Sequence, residues 1–187
     1  MVALSSLWLP ILLASLAVFF LSFVLHMVAT YHLTDYAPLA DEDGVRDALR
    51  AAGVGAGQYS FPHCGTHETL KSQAFQSAWA QGPTGMLTIF PPGPMTMGKS
   101  LNRWFAMTLF VSCVAAWIAG LVLGPGSDWK LVVKITGTVA FMSYGCGELT
   151  GPIWKGSTWS SCFKALFDAA LYAVATALVF RFFWPEA

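Results

Sequence analysis

The sequence predicts an all-α membrane protein: four transmembrane helices, with a polar segment of roughly 70 residues between helices 1 and 2. Three observations carry that prediction. The 187 residues are 56% hydrophobic and only 11% charged, against about 25% charged in a soluble domain, and mean hydropathy is +0.58. The apolar residues are gathered into four long runs. Trp8, Trp104, Trp129, Trp154, Trp159 and Trp184 fall at or near the ends of those runs, as an interfacial aromatic belt requires. The same composition excludes a disordered chain, a nucleic-acid binder built on a basic face and an ordinary cytosolic enzyme. Ten Lys+Arg balance ten Asp+Glu, so no net charge draws the chain to anionic partners.

The first run, about residues 7–29, holds no Asp, Glu, Lys or Arg. It lacks a charged n-region and a small-residue cleavage site and exceeds the length of an h-region, so it reads as a retained helix, not a cleaved signal. The second run covers about 101–123, the third 131–149 and the fourth 163–183. Each approaches the roughly 20 residues needed to cross a hydrocarbon core of about 30 Å. Only helices or closed barrels satisfy every backbone group in lipid, and runs this continuous read as helices. Gly124-Pro125-Gly126 ends the second and Gly151-Pro152 the third.

Residues 31–100 form the one sizeable polar segment, read as an extramembrane part of a single membrane domain over 1–187. Asp41-Glu42-Asp43 before Val45, Ala48, Leu49 and Ala52 predicts a short amphipathic helix with acids at its positive end. Thr66 caps a second, in which Leu70, Ala74, Phe75, Ala78 and Trp79 share a face. Met86–Phe90 reads as extended, and Pro91-Pro92-Gly93-Pro94 stops it. A segment of this size is too small to bury a useful core of its own.

Four spans put both termini on one side. The other side, with residues 31–100, carries Arg46, Arg50, Lys71, Lys99, Arg103, Lys155 and Lys164, against Lys130, Lys134 and Arg181. The positive-inside bias therefore predicts a cytoplasmic polar segment and both termini outside. Cys64, Cys146 and Cys162 then face a reducing compartment, and Cys113 reads as a small buried hydrophobe.

Within the spans, small residues recur at spacing four: Ser112, Ala116 and Gly120, then Ala165, Ala169, Ala173 and Ala177. They predict close helix contacts, within the bundle or with a partner. Polar residues align on separate seams: Ser15, Ser22, His26 and Thr30; Thr136, Tyr144 and Glu148 around Ala140; Lys164, Asp168, Tyr172 and Thr176. The predicted topology brings His26, Glu148 and Asp168 to similar depth, with Arg103 and Lys164 close by. Two readings follow. One is a cytoplasm-facing polar site for a cofactor, a proton or a small ligand. The other is a structural network in which Lys164 pairs with Asp168, and Arg103 or His26 satisfies Glu148.

His63, Cys64 and His67 offer three metal-binding side chains in five residues, but without a zinc spacing or a second ligand pair. His26 and His32 on one helix end define no haem motif. No G-x-S-x-G, P-loop, H-E-x-x-H or G-x-G-x-x-G occurs. The reading is therefore of no catalytic residues, no predicted cofactor and no assigned metal.

The chain resembles a family of uncharacterised bacterial four-helix integral membrane proteins. The resemblance rests on Leu4-Ser5-Ser6-Leu7-Trp8-Leu9-Pro10, His26-Met27 with Tyr31-His32 and Asp35-Tyr36, and Asp47-Ala48-Leu49-Arg50. It continues through Gly93-Pro94-Met95 with Met97-Gly98-Lys99, Trp159-Ser160 with Lys164 and Asp168, and Trp184-Pro185. It implies four spans and a bacterial inner membrane, and it transfers no functional residues.

Small size and the lack of a catalytic signature point first to a non-catalytic accessory or scaffold subunit of a larger membrane complex. Its partners would be the lipid bilayer and other subunits or further copies of itself, with no nucleic acid. The competing expectation is a ligand- or cofactor-handling membrane protein, redox or transport, built on the His/Glu/Asp cluster.

Overall fold

Long apolar runs flanked by turn residues fold as long helices. In a computed structural model describing residues 1–187, the chain is mostly helical, at 69%. Three helices are long and apolar enough to cross a membrane: Leu4–Val28, Gly98–Val122 and Trp159–Phe183. The chain divides into two compact units.

The first unit comprises Met1–Asp35, Thr96–Pro152 and Ser157–Ala187. Its long helices are α1 (Trp8–Phe23), α5 (Gly98–Val122), α6 (Trp129–Gly145) and α8 (Trp159–Phe183); the short α7 (Thr150–Trp154) precedes α8. A 3-10 turn, Leu4–Leu7, leads into α1, and a wider π turn, Val24–Val28, continues it. The third apolar run divides: α6 ends at Gly145 and a 3-10 turn covers Cys146–Leu149. Two glycines in three residues weaken the α-helix there, and the last turn tightens. Asp128 and Thr158 start α6 and α8 by accepting backbone N–H groups, from Lys130 at 2.9 Å and Ser161 at 3.2 Å.

Helix α1 packs on α5 and α8, and α6 packs on the same two. The α6–α8 contact is the most extensive, and small residues make it so. A Cβ at Gly137 would lie 3.3 Å from that of Ala177, and one at Gly145 would lie 3.0 Å from that of Ala169. Ala169, Ala173 and Ala177 are buried. On α5, Ser112, Ala116 and Gly120 are also buried; Ala116 joins Leu7, Ile11 and Ala14 in one cluster. Gly120 lets Val2 approach closely enough for its N–H to donate to the Gly120 carbonyl at 2.9 Å. Many bulky side chains face outward, among them Phe20, Phe110, Trp117, Phe167, Val174 and Phe182, while Leu7, Tyr172 and Phe180 fill the interior. Small residues at the helix contacts with large apolar ones outside them is how helices pack where lipid covers the outer surface.

The second unit comprises Tyr36–Met95 and Ile153–Gly156. Asp41 caps α2 (Glu42–Ala51), accepting from Gly44 N at 2.9 Å. Strands β1 (Gly57–Phe61) and β2 (Gly85–Ile89) pair antiparallel, with Gly57 opposite Ile89 and Phe61 opposite Gly85. The expected extended stretch Met86–Phe90 is strand as far as Ile89, and it has a partner strand that periodicity did not reveal. Thr66 does cap a helix, but α3 (His67–Lys71) stops where Ser72 turns extended and caps α4 (Gln73–Gln81) by accepting from Phe75 N. A side-chain oxygen competing for a backbone N–H is what splits the expected helix in two. Phe75 is the one buried large apolar side chain in this unit.

Candidate functional site

After the π turn the chain leaves the helical direction at Ala29, whose N–H still bonds the Val24 carbonyl at 2.9 Å. A 3-10 turn over Tyr31–Thr34 then lies against α8. This reversal sets three side chains from one short stretch, Tyr31, His32 and Asp35, against Lys164 and Asp168 of α8.

Asp168 is the centre. It is 3% exposed, and the cost of holding a carboxylate there is met by direct partners. Tyr31 OH donates to its Oδ1, and His32 Nε2 donates to its Oδ2 at 2.8 Å. His26 Nε2 stands 3.7 Å from the same Oδ2. His32 donates through its other nitrogen, Nδ1, to Asp35 Oδ2 at 2.6 Å. Lys164 Nζ closes the network, donating to Asp35 Oδ1 at 2.8 Å, the Tyr31 carbonyl at 2.7 Å and Thr34 Oγ1 at 2.7 Å.

The electrostatics follow from this wiring. Burial works against a charged His32 ring, but the bonds and charges of Asp35 and Asp168 outweigh it and raise the ring above the usual histidine range. Both nitrogens face carboxylates, an arrangement that favours the ring with a proton on each nitrogen. Burial likewise works against ionised Asp35, yet Lys164 and His32 hold its carboxyl below the usual range. The Tyr31 phenol is pushed up by burial and by its bond to Asp168, so it remains a donor.

His26 is wired differently. Its Nδ1 donates to the Ser22 carbonyl at 3.1 Å, and its Nε2, on the Asp168 side, has no hydrogen-bond partner. Its ring stacks on that of His32, and its side chain is half exposed. One donor atom each from His26, His32 and Asp168 fall within 4.8 Å of one another.

Of the residues singled out in the sequence, His26, His32, Lys164 and Asp168 meet here. Arg103 and Glu148 are both exposed and form no ion pair. Glu148 lies in the 3-10 turn that follows α6, where the change of helical pitch takes it off the α6 face. Lys164 pairs with Asp35, not with Asp168 one turn along its own helix, because Tyr31 and His32 already occupy that carboxylate. His63, Cys64 and His67 are exposed in the second unit; His63 Nδ1 is 3.5 Å from Ser60 Oγ, and Cys64 Sγ donates to the Thr66 carbonyl at 3.3 Å.

Tyr31, His32 and Asp35 are the site residues that seam alignment missed. Alignment extends a helix straight on, whereas here the chain folds back. The available signal was three polar, chemically competent residues within five positions directly after a charge-free run.

Deeper in the same unit Tyr144 and Tyr172 meet edge to face, ring centroids 5.4 Å apart, with Trp104 beside both. Trp104 Nε1 donates to Ser22 Oγ at 2.8 Å. The hydroxyls of Ser112, Tyr144, Tyr172 and Thr176 are buried without a hydrogen-bond partner. Comparison with protein-family models, curated proteins and solved structures finds no match to this chain, so its own site geometry carries the functional argument.

Proposed function

We propose that the chain is a multi-pass membrane protein that handles a ligand or cofactor at the His26, His32 and Asp168 site. One observation carries this reading: a carboxylate inside an apolar 25-residue helix is 3% exposed, and side chains from a separate segment gather on it, beside a half-exposed histidine. Ionisable residues within spans mark functional sites by default. The small-residue seams that could have docked a partner are occupied within the chain's own first unit.

In this reading α6 with its 3-10 extension, Trp129–Leu149, is the fourth span of a four-helix bundle in a bacterial inner membrane. Both termini lie outside and residues 31–100 are cytoplasmic, which opens the site to the cytoplasm. Asp168→Asn tests the function. The variant should insert and purify like the parent while failing to restore the phenotype of a strain lacking the protein. Full restoration would overturn the reading.

A second reading, a non-catalytic accessory or scaffold subunit, is favoured by the second unit. Tyr36, Phe90 and Met95 there are at least 80% exposed, and apolar surface of that kind suits a protein partner. Native mass analysis of the gently solubilised chain tests it: stoichiometric partner chains support the subunit, and a chain running alone overturns it.

A further inference from the structure

We infer that His26, His32 and Asp168 form a three-ligand site for a divalent first-row transition-metal ion of the zinc class, with a further coordination position open on the His26 side. The inference rests on the ligand-handling reading above and names the ligand's class.

Three features carry it. The first is the donor set: two imidazole nitrogens and one carboxylate oxygen within 4.8 Å of one another. Imidazole suits zinc, iron, nickel and copper, whereas magnesium and calcium require oxygen ligands. Ligand bonds of about 2.0–2.2 Å in a tetrahedron put donors about 3.3 Å apart. His32 Nε2 and His26 Nε2 already stand 2.8 Å and 3.7 Å from Asp168 Oδ2, on either side of that value.

The second is the orientation of the rings. Each histidine turns Nε2 toward Asp168 and anchors Nδ1 elsewhere, His26 on the Ser22 carbonyl and His32 on the Asp35 carboxylate. Ligating histidines are held in this way, by an outer acceptor that fixes the ring and raises its basicity. Asp35 is itself fixed by Lys164.

The third is what His26 does otherwise. Tyr31 and His32 satisfy both oxygens of Asp168, so the hydrogen-bond network is complete without His26. His26 Nε2 has no hydrogen-bond partner and stands 3.7 Å from Asp168 Oδ2. A cation bound there would join the two, with the His26 ring turning out of its stack on His32 so that the Nε2 lone pair meets the ion. On metal binding the ion replaces the proton on His32 Nε2, which leaves to solvent, and Asp168 keeps its bond from Tyr31. His26 and the π turn that presents it lie at the exposed end of α1, so the fourth position is reachable by water or a small anion.

The test is metal titration of the purified full-length chain in detergent, using Zn²⁺ with Co²⁺ as a spectroscopic probe and Mg²⁺ as the hard-cation comparison. The expected result is one saturable Zn²⁺ per chain and a tetrahedral or five-coordinate Co²⁺ spectrum. His26→Ala, which leaves the hydrogen-bond network whole, should weaken Zn²⁺ at least tenfold with unchanged thermal stability. Asp35→Asn should weaken it about 10–100-fold through His32. Absence of saturable binding, equal binding of Mg²⁺, or binding indifferent to His26→Ala would overturn the metal site. If any of these occurs while Asp168→Asn still abolishes complementation, the metal alone falls and the ligand-handling reading stands.

Discussion

His26 and His32 stack nearly parallel, ring centroids 4.4 Å apart and planes 10° apart, yet they hold unequal places in the structure. His32 is bonded at both nitrogens to carboxylates, and His26 only to the backbone carbonyl of its own helix.

That inequality predicts unequal costs. His32→Ala strips Asp168 of one partner and Asp35 of another, and leaving a buried acceptor unsatisfied costs about 1–3 kcal/mol. His26→Ala removes a half-exposed ring and no network bond. Thermal unfolding in detergent should show a clear loss for His32→Ala and almost none for His26→Ala. Equal losses would mean that the stack itself holds the turn.

The pH dependence of the metal-free protein between acid and mildly alkaline pH follows from His32 and Asp35, two of the shifted groups outside the spans. His32 is raised by Asp35 and Asp168 against its burial, so its contribution is full below about pH 6.5 and is lost as pH climbs through the folded-state value. Asp35 is lowered by Lys164 and His32, so its contribution is full above about pH 3.9 and is lost as pH falls through its own folded value. Tyr31, Lys164, Asp168 and His26 are the other titratable groups facing the pair. Melting temperature against pH should therefore plateau between those limits and decline on the alkaline side. In His32→Gln that alkaline decline should be smaller. An unchanged decline would place its origin elsewhere.

Lys164 ties the Tyr31–Thr34 turn to α8 through a carboxylate, a hydroxyl and a backbone carbonyl. Lys164→Met keeps the stem and removes all three bonds. Hydrogen exchange over residues 30–35 should rise, with little change in α5. If exchange in the turn is unaltered, His32 and Tyr31 suffice to hold it.

Thr176 is buried with an unpartnered hydroxyl, as are Tyr172 and Ser112. Exchanging such a group for an apolar one of the same shape is neutral or stabilising, because an unsatisfied polar atom disappears. Thr176→Val should hold or raise the melting temperature. A fall of several degrees would show that the hydroxyl is bonded in solution.

What could be read from sequence divides along a physical line. The long helices declare themselves through apolar runs that lipid or core must cover, and the seams at Ser112–Gly120 and Ala165–Ala177 through the spacing of small residues. His26, Lys164 and Asp168 stood out because ionisable groups beside apolar runs are expensive. The partners were hidden. Which carboxylate Lys164 chooses depends on the reversal after Ala29, which hydrophobicity does not encode. The split at Ser72 and the pairing of β1 with β2 depend likewise on one hydroxyl and on a contact distant in sequence.

Glycine positions in the first unit make the packing argument quantitative. A Cβ at Gly120 would stand 2.6 Å from the Val2 carbonyl oxygen, a backbone atom that cannot rotate away. Gly120→Ala must therefore displace the N-terminal segment and lengthen the Val2 N–H bond to the Gly120 carbonyl. Overpacking of this kind costs about 1–3 kcal/mol. A Cβ at Gly147 meets nothing within 4 Å, so Gly147→Ala should be neutral or slightly stabilising through the helix preference of alanine. Gly145→Ala falls between the two: its Cβ would meet Ala169 at 3.0 Å and a Leu166 methyl at 3.2 Å, and both side chains can shift a little. The expected order of melting temperatures is Gly147→Ala, then Gly145→Ala, then Gly120→Ala. Gly120→Ala melting at or above Gly145→Ala would show that Val2 is not held against α5.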